Sequence, residues 1–139
     1  MEIAKNKKIS IRKIWVGRVM SAFVVLFLFA DAITHLLAPP FVVQAFKQLG
    51  YHPSVSMLLG IIMLVCLLLY VIPRSSILGA ILITGYLGGA VASNLRVDAP
   101  LFSTILFPVY IGILVWGGLY LRDEKLQSMI PFRKKVDRQ

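Results

Sequence analysis

The sequence predicts an all-α polytopic membrane protein, a bundle of four transmembrane helices with both termini cytoplasmic, and three observations lead there. Hydrophobic residues make up 58% of the chain and its mean hydropathy is +0.82, more apolar material than one core of a 139-residue domain can hide from water. Four stretches, 14–37, 54–72, 75–95 and 101–121, have spanning length at about 1.5 Å of rise per residue. The basic residues are also sorted by loop. Lys5, Lys7, Lys8, Arg12 and Lys13 precede the first stretch, and Arg74 lies between the second and third. Arg122, Lys125, Arg133, Lys134, Lys135 and Arg138 follow the fourth, while the two opposite loops hold only Lys47 and Arg96. The positive-inside rule then puts both termini of this multi-pass protein in the cytoplasm. The chain divides into a basic N-terminus (1–13), a transmembrane domain (14–121) and a basic tail (122–139).

A net charge of +9 would suit nucleic acid, but these charges follow topology rather than a folded surface. Membrane lipids, through anionic headgroups near the tails, are the expected partner, and nucleic acid is not.

The first span is too long for a secretory signal, carries Asp31 and lacks a small-x-small cleavage site before Pro39 and Pro40, so it is expected to be retained. Trp15 marks an interface, and Arg18 is placed to snorkel toward headgroups or to pair with Asp123 or Glu124. Pro39 and Pro40 end the helix because neither donates a backbone hydrogen bond. From Phe41 to Leu49 the mixture of apolar residues with Gln44, Lys47 and Gln48 suits a short amphipathic helix on the outer leaflet. The turn Gly50 to Pro53 leads to a second span that opens with Ser54 and Ser56 and closes at Pro73. Its cysteine, Cys66, is the single one in the chain, which excludes an intrachain disulfide and a paired-thiol motif and leaves a buried thiol as the expectation.

The third span is rich in small residues. Gly85 and Gly89 have GxxxG spacing, Gly88 and Ala92 continue the pattern, and the expectation is close packing within the same bundle. The fourth span carries Pro108, expected to kink it, and Trp116 and Tyr120, expected in an aromatic belt.

One position resists this reading. Asp31 stands in a membrane-length apolar segment, where an ionisable side chain is costly and marks a site. His35 is four residues on, hence on the same helix face. The first and third spans run in the same direction, so Asp31 and His35 share a leaflet with Ser93, Asn94 and Arg96, and with His52, Ser54, Ser56, Asp98, Ser103 and Thr104. The candidate ligand-binding set is Asp31, His35, Asn94 and Arg96. Two readings stand side by side: a site for a polar ligand head, or a helix lock in which Arg96 or another cationic neighbour neutralises Asp31. One His and one Asp make an incomplete metal set. The chain contains no nucleophile with an evident base, no phosphate loop and no haem-attachment motif.

From Trp15 to about Pro131 the chain resembles the DoxX-like family of small bacterial membrane proteins, most specifically in IPR at Ile72 to Arg74, LGAILITGYLGGAVASNLR at Leu78 to Arg96 and the closing WGGLYLRD. The resemblance implies a four-helix membrane bundle. Arg18, Asp31, Asn94 and Arg96 fit the family pattern, whereas Met63 stands in GIIMLVC where the pattern implies an acidic residue. The wider group is linked to quinone and thiosulfate redox chemistry and to thiol systems, and distant members look like assembly chaperones or cargo receptors.

Three functions are therefore carried forward. The first is a protein that binds a small lipophilic ligand, a quinone or a lipid, in an outer-leaflet pocket, or serves as an accessory subunit. The second is a subunit of a quinone-linked membrane oxidoreductase, which needs a membrane redox partner because the chain has no intrinsic cofactor motif. The third is an assembly or interaction protein that docks through the glycine-rich span. Homo-oligomerisation is left open.

Overall fold

The computed structural model describes residues 10–130; Lys5, Lys7, Lys8, Arg133, Lys134, Lys135 and Arg138, and with them most of the two basic end segments, lie outside these. The elements are α1 (Ile11–Leu37), α2 (Pro40–Gln48), α3 (Val55–Val71), α4 (Ser76–Arg96), a π-helical turn (Leu101–Ile105), α5 (Phe107–Arg122) and α6 (Glu124–Met129). No strand occurs among the described residues. Three segments, Ile11–Leu37, Ser76–Arg96 and Leu101–Arg122, are long and apolar enough to cross a membrane, and α3 is a shorter apolar helix of 17 residues.

The helices form a ring: α1 packs on α3 and α5, and α4 packs on the same two. Helices α1 and α4 therefore face each other across the diagonal. Val24, Leu28, Met63, Leu67, Ile83 and Val115 fill the middle of the bundle. Large apolar side chains such as Leu26, Leu68 and Ile113 point outward and stand exposed, the arrangement a hydrocarbon solvent favours.

Glycine sets how closely the helices approach. A Cβ on Gly118 would lie 2.7 Å from Ser21 Oγ, and one on Gly60 would lie 2.8 Å from the carbonyl oxygen of Ala32. These contacts close the α1–α5 and α1–α3 crossings, and such close backbone approach is what holds helices together where lipid removes the hydrophobic drive. At the same end as the Gly118 crossing, the fully buried Tyr70 of α3 donates through its hydroxyl to the Val115 carbonyl (2.9 Å). Its oxygen is then free to accept from Ser21 Oγ (3.1 Å). One side chain thus ties α1, α3 and α5 together, with the Arg122 guanidinium 5.3 Å from the centre of its ring.

One expectation needs correction. Gly85, Gly88 and Gly89 do not pack α4 against a neighbour, because a Cβ at any of them would meet nothing within 4 Å. The close α4 contact is made lower down, by Gly79 against the backbone of Tyr70. Pro108 falls where the Leu101–Arg122 segment passes from the π-helical turn to α5. It sits in the first turn of α5, after the π-helical turn, where a missing N–H has no intrahelical partner to lose.

Candidate functional site

Because Gly85 and Gly89 bring no side chain inward, the diagonal between α1 and α4 is left partly unfilled. The result is a cavity of about 440 Å³ at the end of the bundle covered by α2, within the size range of small-molecule sites. From α1, Phe27, Leu28, Asp31 and His35 face it; α4 contributes the two glycines, Tyr86, Ala90, Ser93 and Asn94. Phe107 and Ile111 of α5 and Val55 and Leu59 of α3 complete the apolar walls, and Phe46, Leu49 and Tyr51 roof it.

The chemistry gathers on α1. Asp31 Oδ2 lies 3.6 Å from His35 Nε2. His35 is held from behind. Its Nδ1 is 3.1 Å from Ser56 Oγ, and the same hydroxyl is 2.9 Å from the carbonyl oxygen of His35. That carbonyl would ordinarily accept from the backbone N–H four residues on, but residue 39 is proline and has none. The Ser56 hydroxyl proton fills the gap, so Ser56 Oγ accepts from His35 Nδ1–H. The hydrogen bonding therefore places a proton on Nδ1 and turns Nε2 toward Asp31. Phe46 packs edge-on against the imidazole, with centroids 5.5 Å apart.

On α4, Asn94 Nδ2 donates to the Ala90 carbonyl (2.9 Å), which leaves Asn94 Oδ1 available. Ser93 Oγ donates to the Gly89 carbonyl (2.8 Å) and accepts from the Tyr51 hydroxyl (2.8 Å). The roof is further clamped by Arg96, whose guanidinium donates to the Leu49 carbonyl at the end of α2 and lies 5.5 Å from the centre of the Tyr51 ring. The left-handed Gly50 (φ 75°) makes this turn feasible.

Of the four residues singled out from sequence, Asp31, His35 and Asn94 share the cavity, and Arg96 holds its roof without lining it. The expected Asp31–Arg96 lock is not formed: Arg96 is taken up by Leu49 and Tyr51, and Asp31 pairs with His35. His52 lies apart, exposed and bonded through Nδ1 to Ser54 Oγ (2.8 Å). No group of three or more His, Cys, Asp or Glu side chains suited to a metal ion occurs among the described residues. Met63, where the family pattern implies an acid, is fully buried in the apolar core, so Asp31 is the one carboxylate on the cavity wall. Arg18 is exposed, without an ion pair to Asp123 or Glu124.

Sequence reasoning missed the aromatic lining, Phe27, Tyr86 and Phe107 above all. The signal for Tyr86 was present: a lone bulky polar residue inside GYLGG, where the glycines leave it room. Phe27 and Phe107, in edge contact at 5.6 Å, carry no local signal, because they come together only when α1 and α5 pack. Trp116, expected in an aromatic belt, donates through Nε1 to Thr84 Oγ1 (2.8 Å), beside a shallow apolar hollow bordered by Gly88 and Gly112.

A family model described as the DoxX-like family matches residues 19–118. No curated protein and no solved structure matches the chain.

Proposed function

The chain belongs to the DoxX-like family, and from that premise we propose that this integral membrane protein binds a small lipophilic molecule in the cavity between α1 and α4. One observation carries the reading: the cavity is polar at one end, at Asp31, His35 and Asn94, and apolar elsewhere, so it offers an amphipathic molecule both kinds of surface at once. A quinone or a membrane lipid has such a shape. Arg96 serves the site through the roof, by fixing Leu49 and Tyr51.

In this reading α3 spans as a fourth, slightly short helix, both termini face the cytoplasm of a bacterial inner membrane, and the cavity opens at the outer leaflet. The sorting of Lys and Arg among the loops supports that orientation. The protein acts as a ligand-binding or accessory subunit, and any electron transfer to quinone belongs to a redox partner.

Native mass spectrometry of the full chain, extracted gently from membranes, tests the proposal. A co-purifying small lipophile, together with a thermal shift on adding decylubiquinone or a short-chain phospholipid, is the expected result. An empty protein indifferent to both would overturn it.

A further inference from the structure

The cavity's polar groups are dominated by one carboxylate, with the Tyr86 hydroxyl among the donors in the same wall. Asp31 supplies a carboxylate, and no Lys or Arg lines the wall to balance it. The nearest guanidinium, that of Arg96, is committed to the Leu49 carbonyl and the Tyr51 ring. Asn94 spends one N–H on Ala90 and keeps Oδ1 and its second N–H. Ser93 spends its proton on Gly89. His35 gives its Nδ1–H to Ser56, leaving Nε2 facing Asp31 Oδ2 at 3.6 Å.

A ring nitrogen and a carboxylate oxygen facing each other at that distance call for a donor between them. In the unliganded protein a proton shared by the pair serves. A ligand that brings its own donors can replace it. Five aromatic side chains, Phe27, Phe46, Tyr51, Tyr86 and Phe107, line the same cavity, and Phe46 lies against His35 itself. Aromatic faces are electron-rich, and a carboxylate in an aromatic-lined cavity is a combination suited to organic cations.

Resting on the ligand-site reading above, we propose that the cavity takes an amphipathic amine, with its protonated amino group between Asp31 and His35 Nε2 and its apolar body against Leu28, Leu59 and Ile111. The ammonium has enough donors to reach Asp31, His35 and Asn94 Oδ1. An anionic head would meet Asp31 with no Lys or Arg in the wall to offset it. A quinone presents only acceptors and leaves the Asp31–His35 pair to supply the proton.

The test uses the full chain in phosphatidylcholine nanodiscs, with empty nanodiscs as the control, and four probes: decylamine, decanol, decanoate and decylubiquinone. The expected result is decylamine binding at least about tenfold tighter than decanol, with decanoate weakest. Asp31→Asn should remove the amine preference while decanol binding persists, and Asp31→Glu should retain it. Decylamine should also shift the ¹⁵N resonance of His35 Nε2. An amine no tighter than the alcohol, or an equal preference in Asp31→Asn, would overturn the proposal, and the wild-type series decides even where a variant does not fold. Binding of decylubiquinone or decanoate in preference to the amine would overturn the amine assignment and leave the cavity a ligand site. Failure of all four probes would overturn both.

Discussion

Ser56 Oγ lies 3.1 Å from His35 Nδ1 and 2.9 Å from the carbonyl oxygen of the same residue, so one hydroxyl on α3 caps the orphaned end of α1 and orients its imidazole. Pro39 creates the need by removing a donor, and Ser56, only 1% exposed, meets it.

Ser56→Ala should lower stability by about 1–3 kcal/mol, the cost of leaving a buried carbonyl without its donor. It should also release the tautomer. Denaturant or thermal unfolding in detergent measures the first effect, and the ¹⁵N shifts of the His35 ring report the second. An unchanged ring signal would show that Ser56 does not set the proton.

The glycines divide into two classes with opposite expected behaviour. Gly118→Ala should destabilise the bundle by about 1–3 kcal/mol, since its Cβ would press on Ser21 Oγ at 2.7 Å and on the Ser21 backbone nitrogen at 3.0 Å. Gly85→Ala meets open space and should be neutral or stabilising by up to about 1 kcal/mol, the helix-propensity difference. Thermal unfolding of the two variants side by side checks the contrast.

Tyr70→Phe should cost about 1–3 kcal/mol, because it strips the Val115 carbonyl and Ser21 Oγ of their shared partner in a buried place. Tyr51→Phe, at the exposed roof, should cost about 1 kcal/mol or less. Unfolding midpoints of the two variants, each compared with wild type, test the ranking.

Arg96→Gln should loosen the roof by removing a charged donor from the Leu49 carbonyl and a cation from the Tyr51 ring. A cysteine placed at Leu59, in a Cys66→Ser background, should then react several-fold faster with a thiol reagent. Arg96→Lys should restore part of the protection. Equal rates in all three proteins would show that α2 is held by its apolar contacts alone.

Much of this architecture was legible in the chain, for physical reasons. Hydropathy marks the apolar helices because each must satisfy its own backbone in lipid, and Pro39 with Pro40 stop α1 wherever the rest of the protein lies. Asp31 and His35 were legible as a pair because a spacing of four fixes a helix face. The role of the glycines was not. A GxxxG pattern reads the same whether it faces a neighbour or a void, and only the ring order of the helices turns Gly85 and Gly89 toward the α1–α4 diagonal. Arg96 shows the same limit: its leaflet could be inferred, but its bond to Leu49 depends on where α2 folds back.

The most direct test of the cavity as a ligand site is native mass spectrometry of the wild type beside Gly85→Leu, extracted identically from membranes. Gly85 borders the cavity and has free space around it, so leucine there should fill the site and leave the bundle folded. The account predicts a bound small lipophile on the wild type and its loss from a folded Gly85→Leu protein. The same bound species on both, or none on either, would contradict it.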